Sequence, residues 1–447
     1  MDTKFCSLPL GPNSFIILRM VKKSSEAWVV AVSMGYGHQR TAYPLEHLSP
    51  DGRFINANDY EGIPQRDKHI WESSRRFYEF ISNFKRLPVL GSLTFRLFDR
   101  FQKILNFYPK RNLSEPTLVL KQIYRLIKGG WGKHLIETLK RKPIPLITTF
   151  PTPAFMAEFF NYPNDIYCTI ADTDIARTWA PLEPNKSRIK YLATTERVVE
   201  RLQLYGIKKE SIFLTGYPLP KENVGLKNKE IAKTDLAHRL LNLDPKRKYY
   251  EGHQLLVEKY LGKLPTKSNH PLTIMFSIGG AGAQKELGFK IMQNLKYQIK
   301  TGVMYFYLAS GVKRSVRDYF LDEVKALGLE RNLGEGLKII SGENTREYFK
   351  KFNEALRTTD ILWTKPSELS FYCALGLPIV IAPPIGSQED FNREWLLSLG
   401  TGVDQEKPEY IKEWISDYLE SGRFAEAAME GFIEAENLGT HNIEKLL

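Results

Sequence analysis

His38 follows a Gly-x-Gly turn in the run Met34-Gly35-Tyr36-Gly37-His38. An imidazole near neutrality can take a proton from a hydroxyl or, once charged, stabilise a phosphate. Asp172 opens an Asp-Thr-Asp triplet with Asp174, and two such carboxylates are a pattern that holds Mg²⁺ or Mn²⁺ through oxygen. Further on, Ser277-Ile-Gly279-Gly280-Ala-Gly282-Ala-Gln284 places three glycines between an apolar run and a helix-like run. Without Cβ atoms the backbone there can come close to a ligand, and free N–H groups at a helix start favour a phosphate. It is neither a GxGxxG match nor a P-loop, since no Lys follows. Lys365-Pro366-Ser367-Glu368 reads as a strand end and a helix start, with the acid favoured in the first turn. Gln388, Glu389 and Asn392 offer amide and carboxylate groups suited to sugar hydroxyls.

Elements of one kind would position all of these. Apolar runs at 27–32, 146–150, 167–171, 189–193 and 212–215 read as buried strands, and 194–205 as a helix. The stretch 217–271 is polar and proline-bearing and reads as a linker with one helix near 254–261. After it strands at 272–278, 303–309, 337–341, 361–364 and 379–382 alternate with helices at 284–296, 316–326, 348–356, 370–375 and 392–399, and 410–435 reads as helical. Such alternation predicts α/β architecture with parallel sheets, in two Rossmann-like domains facing an interdomain cleft. The expected boundaries are 1–220, 221–410 and a helical tail, 411–447. Ligands bind outside the carboxyl ends of strands in such sheets, where both glycine turns fall.

At 447 residues the chain is too long for one core. Cys6, Cys168 and Cys373 are distant and odd in number, which fits neither a disulfide framework nor a zinc site and suits a reducing interior. The N-terminus carries no signal-peptide pattern, and no apolar run nears the roughly 20 residues of a membrane span. The net charge of +12 resides in 75–142, which holds sixteen Lys and Arg against four Asp and Glu. Within it Phe95, Phe98, Phe101 and Leu105 have helical spacing, with Arg96, Arg100 and Lys103 between them. A basic, aromatic amphipathic helix suits an anionic bilayer, so Arg96, Phe98, Arg100 and Lys103 are expected to face a membrane. No nucleic-acid motif accompanies the charge, and nucleic acid is not expected as a partner.

The order MGYGH, TIADTD, FLTGYP, SIGGAGAQ, TKPSELSFYCALGLP and IGSQEDFN is similar to that of the monogalactosyldiacylglycerol synthase-like glycosyltransferases, and of the related N-acetylglucosaminyltransferase that forms lipid II. The similarity spans about 28–405. It implies the GT-B fold, in which the tail 411–447 crosses back to the first domain, and an inverting enzyme that moves a sugar from a nucleotide-sugar, UDP-linked in such enzymes, to a lipid or other amphiphile. By resemblance Gly35 and Gly37 form the acceptor-side turn and His38 or Asp172 is the base. Gly279, Gly280, Gly282, Ser310, Lys365, Glu368, Gln388, Glu389 and Asn392 are the donor-side residues. No metal or other cofactor is expected: the DxD signature belongs to a different glycosyltransferase fold. The location implied is cytoplasmic, peripheral at the inner face of a membrane. Two departures stand out. The acid that grips the ribose is replaced by Phe371, for which Glu368, three residues earlier, is a substitute on the same helix face. A histidine of the family's Thr-His-Pro is Phe150 here. The alternatives are a nucleotide-sugar epimerase or a soluble-acceptor transferase on the same fold, or a non-catalytic binding module.

Overall fold

In the computed structural model, residues 26–73, 104–279, 282, 284–384 and 386–447 are described. They form two six-stranded, wholly parallel sheets. The first contains β1 (Trp28–Ala31), β2 (Ile55–Asn56), β3 (Leu146–Thr148), β4 (Ile166–Thr169), β5 (Lys190–Ala193) and β6 (Ile212–Leu214), in the order β2-β1-β3-β4-β5-β6. The second contains β7 (Leu272–Ser277), β8 (Met304–Gly311), β9 (Leu337–Ser341), β10 (Ile361–Thr364), β11 (Ile379–Ile381) and β12 (Gly402–Asp404), in the order β12-β11-β10-β7-β8-β9. Strands covered on both faces need apolar residues at consecutive positions. Val29-Val30-Ala31 and Ile274-Met275-Phe276 meet that need and are fully or almost fully buried.

The strand orders fix where a ligand would go. In the first sheet the direction of winding reverses between β1 and β3, and in the second between β7 and β10. The carboxyl ends of such neighbours splay their following loops apart and leave a crevice. The His38 turn follows β1, Thr149 and Phe150 follow β3, Gly279 follows β7, and Lys365 follows β10. Both glycine turns therefore sit at topological switch points.

Elements between the strands carry the site. The first is α1 (Gly37–Ala42), continued by a 3₁₀ turn at Tyr43–Leu48 in which Pro44 occupies the first turn. The second, α2 (Glu196–Leu204), is capped by Thr195, whose hydroxyl accepts from the Val198 N–H. The 217–271 stretch holds more than the expected linker: α3 (Glu230–Leu243) precedes the helix Lys248–Leu261. Its polar sequence is misleading, because Arg239 is buried and donates to the carbonyls of Thr359, Leu375 and Gly376. The helix α4 (Thr345–Leu356) is capped by Asn344. Residues 368–375, expected as a helix from 370, form a 3₁₀ segment, Glu368–Leu375. The helix α5 (Ser387–Ser398) begins five residues before the expected start at 392, so Gln388 and Glu389 lie on the helix rather than ahead of it, and Asn392 falls in its second turn.

Each sheet has its own core, with Trp363 central in the second and Tyr191 in the first. After the helices Ile411–Glu420 and Arg423–Glu434, the last helix, α6 (Gly439–Glu444), returns to the first sheet. There Ile443 and Leu447 pack with Val29 and Ile147, and Asn442 donates to the Thr215 carbonyl at 3.1 Å. Among the described residues, no helix is long and apolar enough to cross a membrane.

Candidate active site

His38 is the second residue of α1 and is half-buried. Its ring meets Phe150 edge-on, with centroids 4.8 Å apart, and lies 6.1 Å from Trp179. The phenyl group standing where the resemblance expects another histidine thus walls the first one. Burial lowers the His38 pKa to about 4, against a backbone hydrogen bond at Thr149 and the charge of Glu368. Its Nδ1 has no hydrogen-bond partner in the fold. The ring is therefore neutral at pH 7, with a nitrogen able to accept a proton.

Asp172 follows β4, and its Oδ1 accepts a hydrogen bond from Asn392 Nδ2 at 3.2 Å across the domain boundary. Burial pushes its pKa up to about 6, with the Asn392 bond opposing and the charges of Glu368 and Glu389 assisting. Two residues later Asp174 is engaged quite differently. Arg201 binds both of its oxygens at 2.8 Å, and Arg197 adds a third bond at 3.0 Å. That bidentate pair, buried at 0% and 1% exposure, fixes α2 to the loop after β4. The two acids of the DxD triplet point to different tasks, and among the described residues no cluster of His, Cys, Asp and Glu could hold a metal ion.

On the other side, Gly279 lies beneath Lys365: a β-carbon at Gly279 would come within 2.6 Å of Lys365 Cε. Lys365 is ion-paired with Glu389 of α5. Gln284 donates to the Pro383 carbonyl at 2.9 Å, tying the glycine loop to the end of β11. Gln388 is half-buried beside Gly386, and Gly282 has a φ of +76°. Ser310 is buried and donates to the Ile340 carbonyl at 3.2 Å, so its hydroxyl is used within the domain. Gly280 lies outside the described residues, as do Arg96, Phe98, Arg100 and Lys103. The described part of the basic segment includes the exposed Lys110 and Arg111 and the helix Leu118–Lys128, which buries Leu120, Tyr124 and Ile127 and exposes Lys121, Arg125 and Lys128.

Glu368 and Asn392, both expected on the donor side, are paired with residues of the first domain. Glu368, the proposed substitute at the ribose, pairs through Oε1 with Arg40 of α1 at 3.2 Å, and its Oε2 would lie 3.3 Å from a β-carbon at Gly37. A side chain at 37 would press on that carboxylate, so glycine eases the close approach of α1 to it. Phe371 stacks flat on Tyr217, with centroids 4.8 Å apart and planes 6° apart. Three residues along a 3₁₀ segment eclipse one another, so Glu368 and Phe371 both turn toward the first domain. Asn392, expected at the sugar, holds Asp172 and Thr173.

Tyr36 and Arg40 carry no mark in the sequence of the roles they take. Tyr36 reaches from the exposed turn at Gly35 to the second domain, where its hydroxyl accepts from the Val312 N–H at 2.8 Å. Gly311 has a φ of +78°, and a β-carbon there would stand 2.3 Å from that hydroxyl, so only glycine leaves room. Arg40 is 2% exposed and enters a box of rings, 4.5 Å from the Phe349 centroid and 4.4 Å from that of Phe352. One polar residue on a six-residue helix carries no local mark of burial; only the opposite domain supplies the box.

Two parallel Rossmann-like units meeting at their switch points define a protein of GT-B architecture. A family described as a domain of unknown function (DUF6938) matches residues 265–335. The chain is 24% identical over 326 residues to a processive diacylglycerol beta-glucosyltransferase of Bacillus cytotoxicus, covering 68% of this chain and 71% of that one. This agrees with the likeness to lipid-directed glycosyltransferases read from the motifs. Among solved structures, a UDP-GlcNAc 2-epimerase of Neisseria meningitidis bound to UDP-GlcNAc aligns at 14% identity and a TM-score of 0.41, over 75% of this chain and 82% of that one. MurG of Acinetobacter baumannii aligns at 12% identity and a TM-score of 0.38, over 73% and 77%.

Proposed function

We propose that this protein is an inverting glycosyltransferase that moves a sugar from a nucleotide-sugar, of the UDP class, to a hydroxyl of a lipid or other amphiphile at an anionic membrane surface. The observation that carries this reading is the placement of His38 at the switch point of one sheet and of Gly279 and the Lys365–Glu389 pair at that of the other, with Asp172 bonded across to Asn392, in a chain similar to a diacylglycerol glucosyltransferase.

Inverting transfer needs a group that takes the acceptor proton and groups that stabilise the departing diphosphate. The neutral, unpartnered nitrogen of His38 suits the first task, with Asp172 as the other candidate. The Gly279 backbone and the Lys365 ammonium suit the second, without a metal, since Asp174 is consumed by Arg201 and Arg197. The exposed cations of the helix Leu118–Lys128 and the neighbouring basic segment would attract anionic headgroups, at roughly 1 kcal/mol for each residue near the surface. The protein would then work at the cytoplasmic face of a membrane.

Incubation of the protein with labelled UDP-sugars and vesicles of diacylglycerol in phosphatidylglycerol tests this. Labelled glycolipid should appear, and His38→Ala should lower its rate by about 100- to 10,000-fold if the imidazole is the base. Undiminished turnover in that variant would remove His38 from the role. A second reading, a non-catalytic module, draws on Tyr36 seated on the Val312 N–H and on Phe371 in the place of the ribose acid. A thermal-shift panel of UDP-, GDP- and dTDP-sugars with no stabilisation by any would favour it.

A further inference from the structure

Asn392 lies in the second turn of α5 and is fully buried. An asparagine side chain offers two N–H donors and two acceptor lone pairs. All four are used here. Nδ2 donates to Asp172 Oδ1 at 3.2 Å and to the Pro366 carbonyl at 3.2 Å. Oδ1 accepts from the Thr173 N–H at 3.0 Å and from the Thr173 hydroxyl at 2.9 Å. Nothing remains for a sugar hydroxyl. Three of the four bonds cross to the other domain, and the fourth anchors the amide to the Lys365-Pro366 turn of its own.

We infer that Asn392 is a positioning residue through which the donor domain orients the Asp172 carboxylate, so that this group is set for proton transfer only while the two domains are together. This deepens the glycosyltransferase reading and rests on it for the word transfer; the latch itself does not. An amide N–H donated to a carboxylate favours the charged form. Among the charged groups acting on Asp172, Glu368 and Glu389 disfavour its ionisation and Lys365 favours it. Burial is the largest influence and raises the pKa; the Asn392 hydrogen bond is the largest opposing one and favours the carboxylate form that a base needs. It also couples that base to donor-side geometry, because Lys365 precedes Pro366, the residue that holds Asn392 from behind.

Two measurements on wild type, N392A, D172N and the double variant test the inference. The first is unfolding stability between pH 4 and 8, which needs no activity. The loss caused by N392A should grow as pH rises through about 6, where Asp172 ionises, and should become independent of pH on the D172N background. A loss equal at all pH values overturns the latch. The second is the pH profile of kcat/KM. N392A should move the acidic limb up by about one unit and cut kcat by about 100-fold with the donor KM unchanged. It should add no further loss to D172N, since both act through one carboxylate. A raised donor KM with an unmoved limb, or losses that multiply, would make Asn392 a direct sugar contact and overturn the inference. If the stability signature appears and wild type transfers no sugar, the latch stands and the transferase reading falls.

Discussion

Two of the contacts that join the domains are built from opposite materials. At one, Arg40 carries a full charge into a box of four rings, Tyr348, Phe349, Phe352 and Tyr372, and meets Glu368. At the other, Asn392 brings a neutral amide whose four bonds are all satisfied. A buried ion pair repays its desolvation only with good geometry and leaves a large penalty when one partner is lost. A saturated amide network costs little to bury and fixes direction more than it adds stability. The first contact is therefore suited to hold the domains, and the second to aim a functional group. Asp174 and Asp172 repeat the contrast two residues apart, the one spent on two arginines and the other held by an amide.

Arg40→Ala should break the comparison most. It empties the aromatic box and strands the Glu368 carboxylate, at a cost of about 3–5 kcal/mol in denaturant unfolding. Scattering in solution should show the domains separating, and a variant that unfolds no earlier than wild type would show the box to be ornamental. Asp172→Asn should do the reverse, stabilising the protein by about 1–3 kcal/mol above pH 6 while activity falls. The sign follows from a carboxyl pKa raised from 3.8 to about 6. The folded protein holds that proton through the window, and stability is lost as pH rises across it. The gain should vanish near pH 4. His38 works the other way: its pKa falls to about 4 in the fold, so the unfolded chain takes up a proton first and stability declines as pH drops from 6.5. His38→Ala should flatten that acid decline in a pH series of melting temperatures. Tyr36→Phe should be the mildest change, about 1 kcal/mol for the hydrogen bond to the Val312 N–H. A thermal-shift comparison with UDP-sugars should then show whether that hydroxyl competes with a donor.

Much of the fold was legible because parallel strands buried on both faces have to be apolar at every position. Val29-Val30-Ala31 and Ile274-Met275-Phe276 could be read on that ground, and the glycine turns beyond them followed. The helix at Glu230–Leu243 was not legible, since Asp235 and Arg239 look like solvent-facing residues until their partners are known. Arg357 takes the first, and three carbonyls from distant segments take the second. Glu368 and Asn392 show the same principle in reverse. Their polarity suggested a ligand, and the opposite domain used it instead.

The sequence alone determined the alternation of strands and helices, and with it that Gly35, Gly37, His38 and Gly279 fall at strand ends. Periodicity and backbone freedom are local properties, written in neighbouring residues. The tertiary structure alone decided that Arg40 is buried, that Asp174 is paired and that Asp172 is held by an amide 220 positions away. A polar side chain does not carry the identity of its partner. That is set by which surfaces the two sheets bring together, because buried polar groups must be satisfied by whatever arrives there.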